Sequence, residues 1–197
     1  RKLHHYRQAE TLLRYVRRRC ADQDKARRAM FLEAKVVSIY GGLKAIAIIK
    51  AFAKKYRDST MSDDVLFWAG DLYQRRQRYK KAAYYYRRIT SMKTKGDQCA
   101  SAAWRLAWMD VIRQRLSKAT RALQGILNDQ QCSPQRFDRA RAAYWLGRLH
   151  QKAQRFDKAD KFYRDVGDIS FLGYYGQLAV ARRFELPEPH RLNPEDV

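Results

Sequence analysis

Residues 66–89, LFWAGDLYQRRQRYKKAAYYYRRI, give the clearest indication of the fold. Small and apolar side chains recur in it every three or four residues, first from Leu66 to Tyr73 and again from Tyr79 to Ile89. This spacing is typical of two amphipathic helices, and the polar run between them suits a short turn. The stretch therefore predicts an antiparallel helical hairpin.

The same order of residue types occurs twice more, in the stretches 103–126 and 143–166. A small residue of the first helix, Gly70, Ala107 or Gly147, recurs at intervals of 37 and 40 residues, slightly longer than the roughly 34 of a tetratricopeptide repeat. We expect this residue to let the two helices approach closely against an alanine of the second helix. The six positions that define the repeat are Gly70, Ala82, Ala107, Ala119, Gly147 and Ala159.

Stacking of the hairpins follows from their apolar faces, since a single hairpin would leave one such face in water. We expect the large residue four positions after each alanine to pack on the next repeat: Tyr86, Leu123 and Tyr163. The predicted fold is all-α, a right-handed α-superhelix of tetratricopeptide-like antiparallel helix hairpins. A four-helix bundle would not need the repeated small-residue offset.

Ten helices are predicted, because apolar periodicity continues along the chain and no stretch alternates as a strand would. Their ranges are 5–19, 24–39, 43–57, 63–75, 79–92, 98–113, 116–128, 136–152, 156–166 and 170–184. We expect one solenoid over residues 1–186. It would consist of degenerate hairpins over 1–57, repeats over 63–92, 98–128 and 136–166, and a terminal helix over 170–184. A Pro-rich tail, 187–197, would then lead toward a missing linker or catalytic region.

The composition limits the classes of protein. The chain has 197 residues, 46% of them hydrophobic, and a formal net charge of +22. So much apolar surface favours a folded domain, and the longest aliphatic run, Ala45 to Ile49, is too short to span a bilayer. The charge favours a polyanionic partner. Because the chain opens with Arg1 and no apolar leader follows, we expect a processed or excised piece.

The sequence gives little support for a catalytic or metal-binding site within this chain. The paired acids Asp63-Asp64 and Asp157-Asp160 lie at helix starts, where carboxylates commonly answer exposed N–H groups. His150 occupies the slot of a repeat aromatic, and no metal-ligand spacing, nucleophile pattern or Gly-rich phosphate loop is present. No catalytic residue, metal or cofactor is predicted. For Cys99 and Cys132, which flank the second repeat, independent thiols are favoured over a bond that an oxidising compartment would permit.

Two further strings resemble a known family. The first is ARAAYWLGR at 140–148, which is followed by Phe156, Ala159 and Tyr163 at helical spacing and then by the second, YYG at 174–176. A related string, AWRLAW at 103–108, lies one repeat earlier. Together they look like the superhelical domain of soluble lytic murein transglycosylases. The most specific pairing consists of Tyr144, Trp145, Leu146, Gly147 and Arg148 with Tyr174, Tyr175 and Gly176.

The resemblance implies a non-catalytic scaffold of a periplasmic enzyme that cleaves peptidoglycan. In that family a separate catalytic domain carries a Glu-Ser pair, whereas this chain has none. The resemblance thus implies the scaffold of the enzyme, positioning murein or recruiting partners, without the enzyme's activity. The expected partner is peptidoglycan or another acidic envelope polymer.

A ligand-binding surface is predicted on the inner helix of each hairpin, as in tetratricopeptide solenoids. Phe67, Trp104 and Tyr144 stand three residues before the small residue of their repeats and would form an aromatic row able to stack sugars or hold a peptide. Packing between repeats explains the same rings equally well. The residues of this predicted concave face are Phe67, Asp71, Arg75, Trp104, Trp108, Tyr144, Arg148 and Lys152.

Two alternatives stay open. The first is a stand-alone tetratricopeptide-type module that binds an extended peptide or protein partner. The second is a basic nucleic-acid adaptor, which the charge permits but no recognition motif supports.

Overall fold

In a computed structural model of the protein, the described residues are 2–92, 96–128 and 132–191. Within these ranges the chain forms ten α-helices, one short 3-10 turn (Gly42–Lys44) and no strand. The helices are α1 (Lys2–Arg19), α2 (Gln23–Tyr40), α3 (Ala45–Lys55), α4 (Ser62–Gln74), α5 (Tyr79–Thr90), α6 (Gln98–Ile112), α7 (Leu116–Asn128), α8 (Arg136–Lys152), α9 (Phe156–Ser170) and α10 (Tyr174–Phe184). The all-α prediction is confirmed, and the right-handed superhelical arrangement stays a prediction.

The predicted helix bounds differ most at the turn between α9 and α10. Helix α9 continues to Ser170, and α10 begins only at Tyr174. Gly173 precedes α10 with extended backbone, and a Cβ at this position would lie 2.3 Å from the Ser170 hydroxyl. The helix is thus interrupted at residues 171–173, where the sequence pattern alone predicted continuous helix.

The chain divides into two compact units, residues 1–102 and 103–197. The prediction of one solenoid over 1–186 stays a prediction. In the first unit α1 packs on α2, α2 on α3 and α4, and α4 on α5. Buried Glu33 ties α1 to α2, because its carboxylate accepts from Arg14 at 3.3 Å and pairs with Arg17 at 2.8 Å. In the second unit α8 packs on α7, α9 and α10.

In the first and third repeats, a tyrosine of the second helix supplies the atoms nearest to the small residue. A Cβ on Gly70 would lie 2.4 Å from the ring of Tyr86, and one on Gly147 would lie 2.5 Å from the ring of Tyr163. The predicted alanine partners, Ala82 and Ala159, do not supply the nearest atoms at either glycine. Each ring covers the glycine of its own hairpin, and the expectation that the two tyrosines also pack on the next repeat stays a prediction.

Each of these tyrosines is held at both ends. The Tyr86 hydroxyl donates to Gln74 Oε1 at 3.1 Å, and that of Tyr163 donates to Gln151 Oε1 at 2.7 Å. The rings also contact Phe67 and Tyr144, with centroids 5.4 and 6.0 Å apart. The rings are almost completely buried, so the hydroxyl has to find a partner inside the hairpin.

The middle repeat solves the same packing problem without a ring. Ala107 replaces the glycine, Leu123 replaces the tyrosine, and both are fully buried in one cluster. Val111 replaces the glutamine, since no hydroxyl has to be satisfied. The larger Ala107 in place of glycine is thus matched by the smaller Leu123 in place of tyrosine, which keeps the interior of the hairpin filled.

The turns inside the three hairpins share one backbone conformation. Gln77, Gln114 and Gln154 have φ of 56°, 57° and 55°, in the left-handed region. The arginine that follows each of them donates its N–H to a carbonyl five residues earlier, as Arg155 does to His150 at 3.0 Å. This is the bond of a Schellman-type helix end. Each turn therefore stops the first helix and starts the second at the same place in the repeat.

His150 lies in the aromatic slot that the sequence predicted. Its ring stacks on Phe162 at 5.3 Å, as Tyr73 stacks on Tyr85 at 5.6 Å in the first repeat. Burial lowers the pKa of His150, and the charges of nearby Arg155 and Lys158 lower it further. The side chain is therefore a neutral core residue at neutral pH.

The cysteines differ from the favoured expectation of independent thiols. Cys99 and Cys132 are disulfide-bonded, and Cys20 is free. Among the described residues, no helix is long and apolar enough to cross a membrane.

Candidate functional site: an aromatic and basic surface on the second unit

Three tryptophans form a cluster on helices α6 and α8. Trp104 and Trp108, one turn apart on α6, stack with centroids 5.6 Å apart. Trp145 on α8 meets Trp108 edge-on at 4.5 Å and lies 6.4 Å from Trp104. All three side chains are only partly buried, so the cluster belongs both to the helix contact and to the surface.

Two arginines of α8 lie over these rings. The guanidinium carbon of Arg141 is 4.3 Å from the Trp104 centroid, and that of Arg148 is 6.0 Å from the Trp145 centroid. Asp138 holds Arg141 through an ion pair of 2.7 Å. Burial lowers the pKa of Arg141, while the Asp138 charge acts in the opposite direction. Such cation–π contacts orient the guanidinium planes along the aromatic surface.

Tyr144 is buried beneath this surface. Its side chain is only 4% exposed and packs between Tyr163 and Tyr175. The Tyr144 hydroxyl lies 3.3 Å from Arg148 Nη1 and accepts a hydrogen bond from it. Tyr144 thus sets the position of an arginine, whereas the sequence predicted that its own ring would face a ligand.

Three of the predicted ligand residues, Phe67, Asp71 and Arg75, belong to the first unit. Phe67 is partly buried and packs against Tyr86 at 5.4 Å. Arg75 is exposed and pairs with Asp71 one turn earlier, with Nε 2.7 Å from Oδ2. Since each charge compensates the other, this pair offers no net charge to a ligand.

A cleft opens beside Trp145 with a volume of about 380 Å³. Helix α8 contributes three polar residues to the lining of the cleft, namely Arg148, Gln151 and Lys152. They share one face of the helix, because Gln151 and Lys152 follow Arg148 by three and four residues. The turn after α6 and helix α10 supply the others. Its polar and aromatic lining includes Gln114, Trp145, Arg148, Gln151, Lys152 and Arg182.

The contact of Tyr144 with Tyr175 explains the spacing of the family-like strings. The centroids are 5.5 Å apart, so the middle residues of the two strings pack on each other. A Cβ on Gly176 would lie 2.1 Å from the carbonyl oxygen of Ser170. Glycine therefore lets the start of α10 approach the end of α9, and Tyr174 next to it remains exposed.

An acidic cluster in the first unit was not predicted. The carboxylates of Asp63, Asp64 and Asp97 offer oxygens within 4.8 Å of one another. Asp63 accepts the backbone N–H of Gln98 at 3.0 Å, so it caps α6 as well as lying in the first turn of α4. Burial raises the pKa of Asp64 to about 6, and the charges of the two neighbouring aspartates add to the rise.

Sequence reasoning missed part of the cleft. Trp145 was assigned only to the family-like string, and Gln114 and Arg182 to no site. A signal for the turn residues was present, because glutamine, arginine and a large apolar residue follow one another at 77–79, 114–116 and 154–156. Nothing in the local sequence of Arg182 indicates that it reaches the cleft formed by other helices.

Comparison with known proteins identifies no family for the chain. No family model and no curated protein matches it. The chain is similar to the crystal structure of BtubC (BKLC) from P. vanneervenii, with a TM-score of 0.61 and 17% sequence identity. The match covers 97% of this chain and 76% of that one. A likeness at this identity concerns the fold alone.

Proposed function

We propose that this chain is the non-catalytic helical scaffold of a periplasmic peptidoglycan lytic transglycosylase, and that it positions murein for a separate catalytic domain. The aromatic and basic surface around Trp104, Trp108 and Trp145 is the observation that carries the proposal. The strings at 140–148 and 174–176 support the family, since they resemble those of the superhelical domains of such enzymes.

The surface suits a glycan strand that bears acidic groups. Indole rings bind the apolar faces of sugars, and arginines held along those rings supply charge and directed donors. Arg148 is held in this way over Trp145, whereas Arg141 over Trp104 has its charge compensated by Asp138 and contributes donors and ring contact. Recognition would thus combine stacking with attraction of carboxylates, without a residue for bond cleavage.

The periplasmic location is part of the proposal. Disulfide-bonded Cys99 and Cys132 suit an oxidising compartment. The net charge of +22 favours an acidic polymer but does not select murein among polyanions. The test therefore has to separate binding through the aromatic surface from binding through charge alone.

Co-sedimentation of the whole chain with purified murein sacculi tests the proposal at two salt concentrations, about 0.15 and 0.5 M. Trp108→Leu should lower the bound fraction several-fold, because it removes the ring that joins the other two tryptophans. The matched control is Tyr84→Leu, which removes an exposed ring of the first unit that lies 6.0 Å from Arg88. Circular dichroism verifies that both variants keep their helices.

Four outcomes would count against the proposal. Equal retention of Trp108→Leu and Tyr84→Leu would leave the tryptophan surface without a role. Displacement of the chain from sacculi by a short DNA duplex, with no displacement in the opposite direction, would favour the nucleic-acid adaptor. Release of soluble 1,6-anhydromuropeptides would contradict a non-catalytic chain. A gene that encodes no Glu-Ser-bearing domain beside this chain would favour the stand-alone peptide-binding module.

A further inference from the structure

The cleft beside Trp145 carries more positive charge than its surroundings compensate. Arg148, Lys152 and Arg182 all line it, and none of its described lining residues is acidic. Arg182 pairs with Glu185, which lies outside the lining. Hydrogen bonding to Tyr144 and to this glutamate raises the pKa of Arg182.

The other two cations have neutral partners. Arg148 donates to the Tyr144 hydroxyl at 3.3 Å, and Lys152 Nζ donates to Gln114 Oε1 at 3.1 Å. Neither forms an ion pair with a carboxylate in the described part of the chain. A neutral acceptor orients a cationic side chain and leaves its charge uncompensated. Two oriented charges therefore remain for an anion that enters the cleft.

Shape and lining narrow the class of anion. A volume of about 380 Å³ is near the lower end of the range for small-molecule pockets and suits a short peptide or one or two sugar units. Trp145 and Leu149 provide an apolar wall beside the charges. The planar guanidinium of Arg148 matches a carboxylate, with which it can form two parallel hydrogen bonds. A single-stranded nucleic acid would need a longer basic groove with successive stacking rings.

We propose that this cleft binds a carboxylate of the murein stem peptide, with Arg148 and Lys152 as the groups that hold it and Trp145 beside the adjoining apolar part. The inference rests on the proposed function, because murein is the polymer that supplies the peptide. It adds the chemical group that is recognised and the residues that recognise it. The glycan would then stack on the neighbouring indoles while its peptide enters the cleft.

Titration of the whole chain with a soluble disaccharide-peptide fragment of murein, followed by tryptophan fluorescence and calorimetry, tests this assignment. The matched ligand is the same fragment with every carboxylate amidated. Arg148→Gln should weaken binding of the acidic fragment about tenfold or more, as expected for loss of a hydrogen bond to a charged group. Lys152→Gln should weaken it several-fold. Amidation should remove the difference between the wild type and both variants.

Lys158→Gln is the control for charge, since it removes one exposed cation of α9 that does not line the cleft. Its affinity should stay within about twofold of the wild type. Equal losses for Lys158→Gln and Arg148→Gln, or equal binding of the acidic and amidated fragments, would overturn the assignment. Inorganic phosphate that displaces the fragment at equimolar concentration would also overturn it, by showing selectivity for phosphate.

The two proposals can fail separately. If sacculi sediment the wild type and Arg148→Gln equally while Trp108→Leu is released, the scaffold function stands and the carboxylate site is wrong. If the acidic fragment binds through Arg148 but sacculi do not retain the chain, the cleft is a carboxylate site and the murein scaffold is wrong.

Discussion

Replacement of Gly147 by alanine tests the contact that closes the third hairpin. The added Cβ would lie 2.5 Å from Tyr163 Cε1, more than about 1 Å inside the normal separation of two carbon atoms. The ring has little room to move, because Tyr163 is 1% exposed and its hydroxyl donates to Gln151. Overpacking of this kind costs about 1 to 3 kcal/mol. The higher helix propensity of alanine offsets about 0.5 to 1 kcal/mol of this cost, so a net loss of up to about 2.5 kcal/mol is expected.

The middle repeat indicates the compensating change. It has Ala107 and Leu123 where the third repeat has Gly147 and Tyr163. Tyr163→Leu alone should cost about 2 to 3 kcal/mol, because it leaves a gap over the glycine and an unsatisfied Gln151. In the double variant the new methyl group fills part of that gap. The summed losses of unfolding free energy in the two single variants should therefore exceed the loss in the double variant by at least about 1 kcal/mol.

Urea unfolding at equilibrium, followed by far-ultraviolet circular dichroism and tryptophan fluorescence, measures these free energies. The matched control is Gly167→Ala in α9, where a Cβ would meet no atom within 4 Å. That change should stabilise the protein by about 0.5 to 1 kcal/mol. The reasoning is refuted if Gly147→Ala is as stabilising as Gly167→Ala, or if the single effects of the cycle add to within about 0.5 kcal/mol.

Two further predictions concern the hairpin turns and the acidic cluster. Gln154→Gly should raise the free energy of unfolding by about 0.5 to 1 kcal/mol, because glycine adopts the left-handed φ of 55° without strain. The control Gln124→Gly, inside helix α7, should lower the free energy of unfolding by a similar amount. If urea unfolding shows a change of the same sign at both positions, this reasoning is contradicted. In the folded protein the pKa of Asp64 is raised to about 6, so its contribution to stability is present at pH below about 4 and is lost as the pH rises through 6. Asp64→Asn should therefore stabilise the protein at pH 7.5 by no more than about 1 kcal/mol after solvent screening, and thermal unfolding should show this gain disappearing near pH 4; an equal gain at both pH values would count against the cluster as its cause.

The helices and the repeat could be predicted because they depend on residues close together in sequence. Helix bounds agreed to within four residues, and His150 lay in the aromatic slot assigned to it. The partner of the glycine could not be predicted in the same way. Alanine and tyrosine lie one turn apart on the second helix, so both face the first helix, and only the crossing geometry of the hairpin brings the ring over Gly70 and Gly147.

The candidate site shows the same division. Trp104, Trp108 and Arg148 were predicted as surface residues, and the structure brings them together with Trp145. Tyr144 was predicted to face a ligand, but it is buried under the contact between α8 and α10. Burial of a side chain depends on which helices cover it, and the repeat spacing carries no information on the terminal helix.

The helices, their turns and the three-fold repetition could be predicted from local sequence, because hydrophobic periodicity and turn chemistry act over a few residues. The ring that covers each glycine and the side chains that line the cleft depend on how the helices pack. The same packing gathers Asp63, Asp64 and Asp97 across a separation of more than 30 residues. Contacts between distant segments depend on the rotation and crossing angle of whole helices. A small change in either of them brings a different side chain of the same helix face into the contact.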